Sequence, residues 1–174
     1  MSDAKISKSA DVKNFRDMLD AETDRGCALL AAAYLDSQLD ELIRSVLVDD
    51  PSAVEDLLGQ SRPLASFSAR IDLAYLLGII SKTVRRDLHL IRKIRNEFGH
   101  KAIKLSFDQP AFDARCRQLS HVSLEAGESS RRLFTNAATL ILAFVHVPLE
   151  ESKHAAVKED FEMSPEIRKM VRGE

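Results

Sequence analysis

Apolar residues fall at helical intervals along most of the chain. Over residues 24–48, Leu35, Leu39, Leu42 and Val46 repeat every three or four positions, which is the spacing of one face of an α-helix. The part over residues 27–34 is apolar nearly all round and predicts deep cover. The same interval recurs with Val12, Phe15 and Leu19, with Val54, Leu57 and Leu58, and with Phe67, Ile71, Ala74 and Tyr75. It returns in Val84, Leu88, Ile91, Ile94 and Phe98, in Phe112, Cys116 and Leu119, and in Leu133, Ala137, Leu140, Ile141 and Phe144.

Punctuation residues set the boundaries. Asp50 before Pro51 is an N-cap followed by a first-turn proline, and Gly59 is placed to close that short helix in the left-handed region. Gly78 stops the helix carrying Phe67, and Ser81 can cap the next one. Ser129 or Ser130 opens the last long helix, which Pro148 should end, and Ser164-Pro165 marks a further start. These signals predict an all-α chain, with a helical bundle over residues 21–148. Residues 1–20 would be an N-terminal extension, and residues 149–174 a charged tail poor in apolar residues.

Composition agrees with this picture. The chain has 174 residues, 45% apolar and 30% charged, enough for one continuous core, and β-branched and aromatic residues are scarce relative to alanine and leucine. Cys27 and Cys116 lack paired spacing and read as small packing residues. The start of the chain has no apolar signal core, and the run over residues 133–149 contains Thr135, Asn136, Thr139 and His146, so it is short and polar for a membrane span. A cytoplasmic protein is expected. Charge is unevenly spread: residues 20–60 hold ten acids against two bases, whereas residues 82–104 hold eight bases against Asp87 and Glu97. Either these segments neutralise each other or the basic one attracts a polyanion.

One position breaks the pattern. Taking Val84 as zero and about 100° per residue, Leu88 lies near 40°, Ile91 near 340°, Phe98 near 320° and Arg95 near 20°. Arg95 is thus expected to face the core or a partner, and a guanidinium so placed must meet an anion. Asp36 or Asp40 of the acidic helix could supply it. His100 would lie almost opposite Arg95 on a continued helix, but Gly99 lets the chain leave the helix and bring the imidazole back.

Other chemistries find little support. His89, His121, His146 and His154 show no H-x-x-x-H or H-E-x-x-H spacing, so no metal or other cofactor is expected. There is no phosphate-binding glycine loop and no G-x-S-x-G. Ser66, Ser68 and Arg70, near the start of the Phe67 helix, could contact a phosphate, although capping and solvation explain them equally well. Nothing matches a helix-turn-helix with a basic recognition helix, so direct reading of DNA bases is not expected.

Two resemblances sharpen the reading. Arg95-Asn96-Glu97-Phe98-Gly99-His100 resembles the R-x4-6-H motif of HEPN domains, which implies a HEPN-like antiparallel bundle of about six helices. In active members it implies a metal-independent endoribonuclease whose motifs meet across a homodimer. More of the chain, residues 25–105 and up to about 148, resembles the mannitol operon repressor family. The carrying features are the long apolar helix, then PLASFSARIDLAYLLGIIS at 63–81, then the charged helix closing on RNEFGH. This resemblance implies a homodimeric regulator acting through protein or RNA contacts.

The alternative is an RNase with Arg95, Asn96 and His100 as catalytic residues. His100 would move the proton, Arg95 would hold the phosphorane charge, and Asn96 would orient phosphate or histidine. Phe98 is the one nearby candidate for stacking on a base.

Overall fold

The computed structural model describes residues 2–100, 105–120, 127–159 and 163–173, and every regular element among them is an α-helix. The order is α1 (Ser2–Ala21), α2 (Asp24–Val46), α3 (Pro51–Leu58), α4 (Phe67–Leu76), α5 (Lys82–His100), α6 (Pro110–Cys116), α7 (Ser130–Glu151) and α8 (Pro165–Arg172). Eight helices stand where about six were expected, because both end segments also form helices.

α2 is the central element and packs on α7, α5 and α4. Its buried positions, Cys27, Ala28, Ala31, Ala32, Leu35, Leu39, Leu42 and Ile43, are small in the first half, which lets neighbouring helices approach closely. Each fully buried Leu or Ile contributes roughly 1.5–3 kcal/mol. The segment expected as an extension is part of this core, since Phe15 and Leu19 of α1 are sealed and Phe15 stacks on Tyr34 with ring centroids 4.7 Å apart.

Local rules explain the ends. Asp50 accepts hydrogen bonds from Ser52 N and Ala53 N, Ser81 from Val84 N at 3.2 Å, and Ser129 from Arg132 N at 3.3 Å. Gly78 adopts φ +74°, the left-handed conformation that ends α4. Gly59 does not: its φ is −61°, and its need for glycine is steric, because a Cβ there would lie 2.5 Å from Glu55 O. Pro148 does not stop α7 either. The helix continues through it to Glu151, so the lost backbone bond falls in the final turn, where few bonds follow.

α7 holds the one stretch among the described residues, Ser130–Leu149, long and apolar enough to cross a membrane. Half of that stretch is buried, and the helix packs on α1, α2, α5 and α6 as a core element.

Beside α7, an aromatic cluster joins Phe98 to Phe112 (4.5 Å) and Phe107 (5.0 Å), and Phe107 to Phe134 (4.9 Å). Asp24 locks this end by accepting from Arg131 Nη1 at 2.7 Å and Phe107 N at 3.1 Å. Burial alone would raise its pKa, but these hydrogen bonds outweigh it and hold the carboxyl below its ordinary value.

Candidate functional site

The charge buried in the oily stripe of α5 is Asp87, not Arg95. Asp87 sits near 300° on the same wheel, between Ile94 and Phe98, and is fully sealed. Its carboxylate accepts from Ser120 N at 2.7 Å and Ser120 Oγ at 3.3 Å. Arg86, on the neighbouring outer position, folds back to donate to Asp87 at 3.0 Å and to Gln118 O at 2.9 Å. The cluster pins the turn after α6 to α5, and the Arg115–Glu97 pair at 2.6 Å does the same one end further on.

Arg95 is exposed, which corrects the inward placement expected from its angle. The reason is a difference in helix length. α4 has ten residues and α5 nineteen, about 15 Å against 28 Å, so α4 covers the flank of α5 at Leu88 but has run out opposite Arg92. Arg95 Nη1 donates to Asn96 Oδ1 at 3.0 Å. The carboxylates expected for it are hydrogen-bonded by other arginines, and Arg95 acts on Asp36 only through space. Arg70 reaches Asp36 at 2.9 Å and makes a charge contact with Asp40 at 3.0 Å, while Arg44 donates to Asp40 at 2.7 Å.

Gly99 stays within α5, so His100 also remains on the helix and is exposed. Five helical residues then place the Arg95 and His100 side chains about 140° apart around the axis. Phe98 is buried in the aromatic cluster and presents no face to a nucleobase.

Where α4 runs out, a cavity of about 340 Å³ opens. Arg92, Arg95 and Asn96 form one wall and Ser66, Phe67 and Ser68 of the α4 start form another, with Asp36 of α2 also in the lining. Thus Arg95 and Asn96 share a space with the two serines singled out as phosphate candidates, while Arg70 turns away to Asp36 and Leu58 O. Ser66 accepts from Ala69 N at 3.1 Å as the N-cap of α4.

A different surface lies at the other end of α4. α7 was expected to turn Leu140 and Phe144 to the core, yet they are 43% and 45% exposed, with Val147 at 57%. The core stripe of α7 is Leu133, Phe134, Ala137, Ala138, Ile141, Leu142 and Val145. Leu140, Phe144 and Val147 repeat at i, i+4 and i+7, a second apolar stripe on the outside. The sequence signal was present: α7 holds more large apolar residues than one buried face can accommodate.

Phe144 and Pro148 line an apolar groove of about 330 Å³ with Ile79, Ile80 and Val84. Exposed Leu76 and Leu77 extend the apolar surface along the chain into the α4–α5 turn.

Ser81 also borders this groove, and directly after it begins a basic hollow of about 500 Å³ lined by Lys82, Arg85, Arg86, His89 and Lys93. Among the described residues no ion pair joins the acids of residues 20–60 to this basic segment, and the carboxylate that meets the hollow comes instead from outside that acidic stretch. Asp72 of α4 binds Arg85 at 2.7 Å and His89 at 3.1 Å, bonds that outweigh burial and lower its carboxyl pKa. Lys82 and Lys93 meet no carboxylate among the described residues. Lys101, Lys104 and His121 lie outside the described residues. His146 contacts Gln38 Oε1 at 2.7 Å and His154 contacts Leu47 O at 2.8 Å, so both serve packing. Cys27 and Cys116 are buried and free, with thiol pKa values pushed up to about 12 by burial. Such thiols are unreactive. No group of three metal-ligating side chains occurs among the described residues.

No curated protein matches this sequence significantly. Among solved structures, one described as the X-ray structure of the MtlR-HPr complex from Escherichia coli is similar to the chain, with a TM-score of 0.66 and 20% identity over 78% of this chain and 98% of that one. At that identity the likeness establishes the helical fold. The mannitol repressor profile matches residues 14–150, from the buried half of α1 to the end of α7, and the chain therefore belongs to the mannitol repressor family.

Proposed function

We propose that this chain is a cytoplasmic, homodimeric regulator that works by holding a protein partner, of the HPr kind, on the face built from the outer stripe of α7 and the basic start of α5. The similar Escherichia coli protein is described in complex with HPr, and family membership makes the same class of partner the first one to test. The observation that carries the reading is the stripe Leu140, Phe144 and Val147, left outside on a helix whose opposite face is sealed. Exposed apolar surface continuous with a groove marks an interaction site, and the bordering basic hollow selects partners with an acidic surface.

Calorimetric titration with an HPr protein tests it. Binding should be seen with the native chain and weaken about 30-fold or more in Val147→Asp, a surface change that leaves the melting temperature unchanged. Undiminished binding by Val147→Asp contradicts the proposed face, and sedimentation of the chain alone reads the dimer.

RNA cleavage through Arg95, Asn96 and His100 is a second reading, favoured by Arg95 and Asn96 sharing one cavity. Within one chain His100 points away, so a second copy would have to supply the imidazole. Unaltered RNA turnover in His100→Ala sinks this reading.

A further inference from the structure

The outer face of α5 is a single line of hydrogen-bond donors. On the wheel that sets Val84 at zero, Lys82, Arg86, His89, Lys93, Asn96 and His100 all lie between about 120° and 200°. They follow one another every three or four residues, a rise of about 5 Å per step and about 27 Å in all. Lys82, Arg86, Lys93 and His100 are exposed. No carboxylate of α5 shares the sector: Asp87 is sealed near 300°, and Glu97, near 220°, is held by Arg115 at 2.6 Å.

This arrangement departs from the rest of the chain. Elsewhere surface arginines are matched by an acid one turn away, as in Arg16–Asp20, Arg44–Asp40, Arg117–Asp113 and Arg132–Glu128. On α5 the residue one turn after Lys82 is Arg86, and like charges at that spacing repel. Neighbours meet the line at two points only partly: Asp72 contacts His89 at 3.1 Å, and Arg86 reaches Asp87 at 3.0 Å while staying 56% exposed. Lys82 and Lys93, the first and last cations lining the hollow, meet no carboxylate among the described residues.

A regular row of donors, one per helical turn, matches a regular row of anions, and the phosphates of a nucleic-acid strand form such a row. An acidic protein fits the full line less well, because the apolar groove that would anchor it borders only the Ser81 end. Bases find no platform on this face: Phe98 is buried, and Arg85 already covers the Tyr75 ring at 5.1 Å. That favours a duplex, whose bases stack on one another and whose phosphates face outward.

We propose that the outer face of α5 binds the phosphate backbone of double-stranded nucleic acid without reading its sequence, with Lys82, Arg86 and Lys93 as the principal contacts. The proposal rests neither on the protein partner nor on RNA cleavage, since it concerns binding alone and Arg95 lies off the line.

The test is fluorescence anisotropy of the full chain with labelled RNA and DNA duplexes of two unrelated sequences. At least one kind of duplex should bind, its two sequences within about threefold of each other. Affinity should fall about 50-fold or more between about 50 mM and about 200 mM salt, as three or four phosphate contacts require. The double variant Lys82→Gln/Lys93→Gln, changed at two exposed positions, should bind about tenfold or more weakly and with a salt dependence lower by about two contacts. Lys153→Gln/Lys158→Gln, which removes the same charge from the exposed tail, should bind as the native chain does. No binding of either duplex at low salt overturns the proposal, as do full affinity in Lys82→Gln/Lys93→Gln and equal loss in the two double variants. Discrimination above about tenfold between sequences overturns backbone recognition, and tighter binding of polyglutamate than of either duplex transfers the line to an acidic protein. The RNA and DNA arms identify which duplex is the source.

Discussion

The two halves of α5 treat charge in opposite ways. In the first half Asp87 is completely buried, and the fold meets it from three directions: Ser120 N, Ser120 Oγ and the Arg86 guanidinium. In the second half Arg92 and Arg95 border a cavity whose carboxylate, Asp36, is hydrogen-bonded by Arg70 and meets Arg95 only through space. The contrast shows where each kind of role resides. A charge the protein hydrogen-bonds from several sides is part of the architecture, whereas a charge met only through space at an opening stays accessible.

Removing the architectural charge should have the largest effect. Asp87→Ala leaves the Ser120 amide without an acceptor and Arg86 with Gln118 O alone, and should destabilise the chain by about 3 kcal/mol in chemical denaturation. Loss below about 1 kcal/mol would show that the buried carboxylate does not hold the α6 turn. Arg86→Ala should be milder, about 1 kcal/mol, because its side chain is more than half exposed and water can replace part of what it gives.

At the other end, Arg95→Met should change stability by less than about 0.5 kcal/mol, since the side chain is exposed and bonds only to its neighbour. Unfolding of Arg95→Met would erase the contrast between the two halves.

The smallest expected effect concerns pH. Asp24 has its folded pKa below the ordinary 3.8, so its contribution is complete above about pH 4 and is lost as pH falls through the depressed value. The stability gap between native chain and Asp24→Asn should therefore narrow between about pH 6 and pH 3. A constant gap would remove Asp24 as a source of acid sensitivity.

Much of the fold was legible in the sequence because helices announce themselves locally. The Asp50, Ser81 and Ser129 caps and the Gly78 stop each depend on neighbours within four residues. What escaped depends on how far elements extend relative to one another. Arg95 occupies an angle that is buried at Leu88, and only the shortness of α4 exposes it. Asp87 escaped for the converse reason: its angle was readable, but the acceptor-satisfying Ser120 lies 33 residues away in a turn whose position no local rule gives.

The candidate sites divide in the same way. Ser66, Ser68, Arg95 and Asn96 each stood out in the sequence, whereas their meeting in one cavity, joined by Arg92, required the structure. The outer stripe of α7 was hidden because Leu140 and Phe144 also fit a core reading, and the two faces separate only when Leu133, Phe134, Ile141 and Leu142 are seen to fill the interior.

The outer face of α7 is the surface on which the proposed partner must sit. Titration of an HPr protein into the native chain and into Val147→Asp, with folding of both verified by circular dichroism, should show binding in the first and its loss in the second. Equal affinity for the two would contradict it.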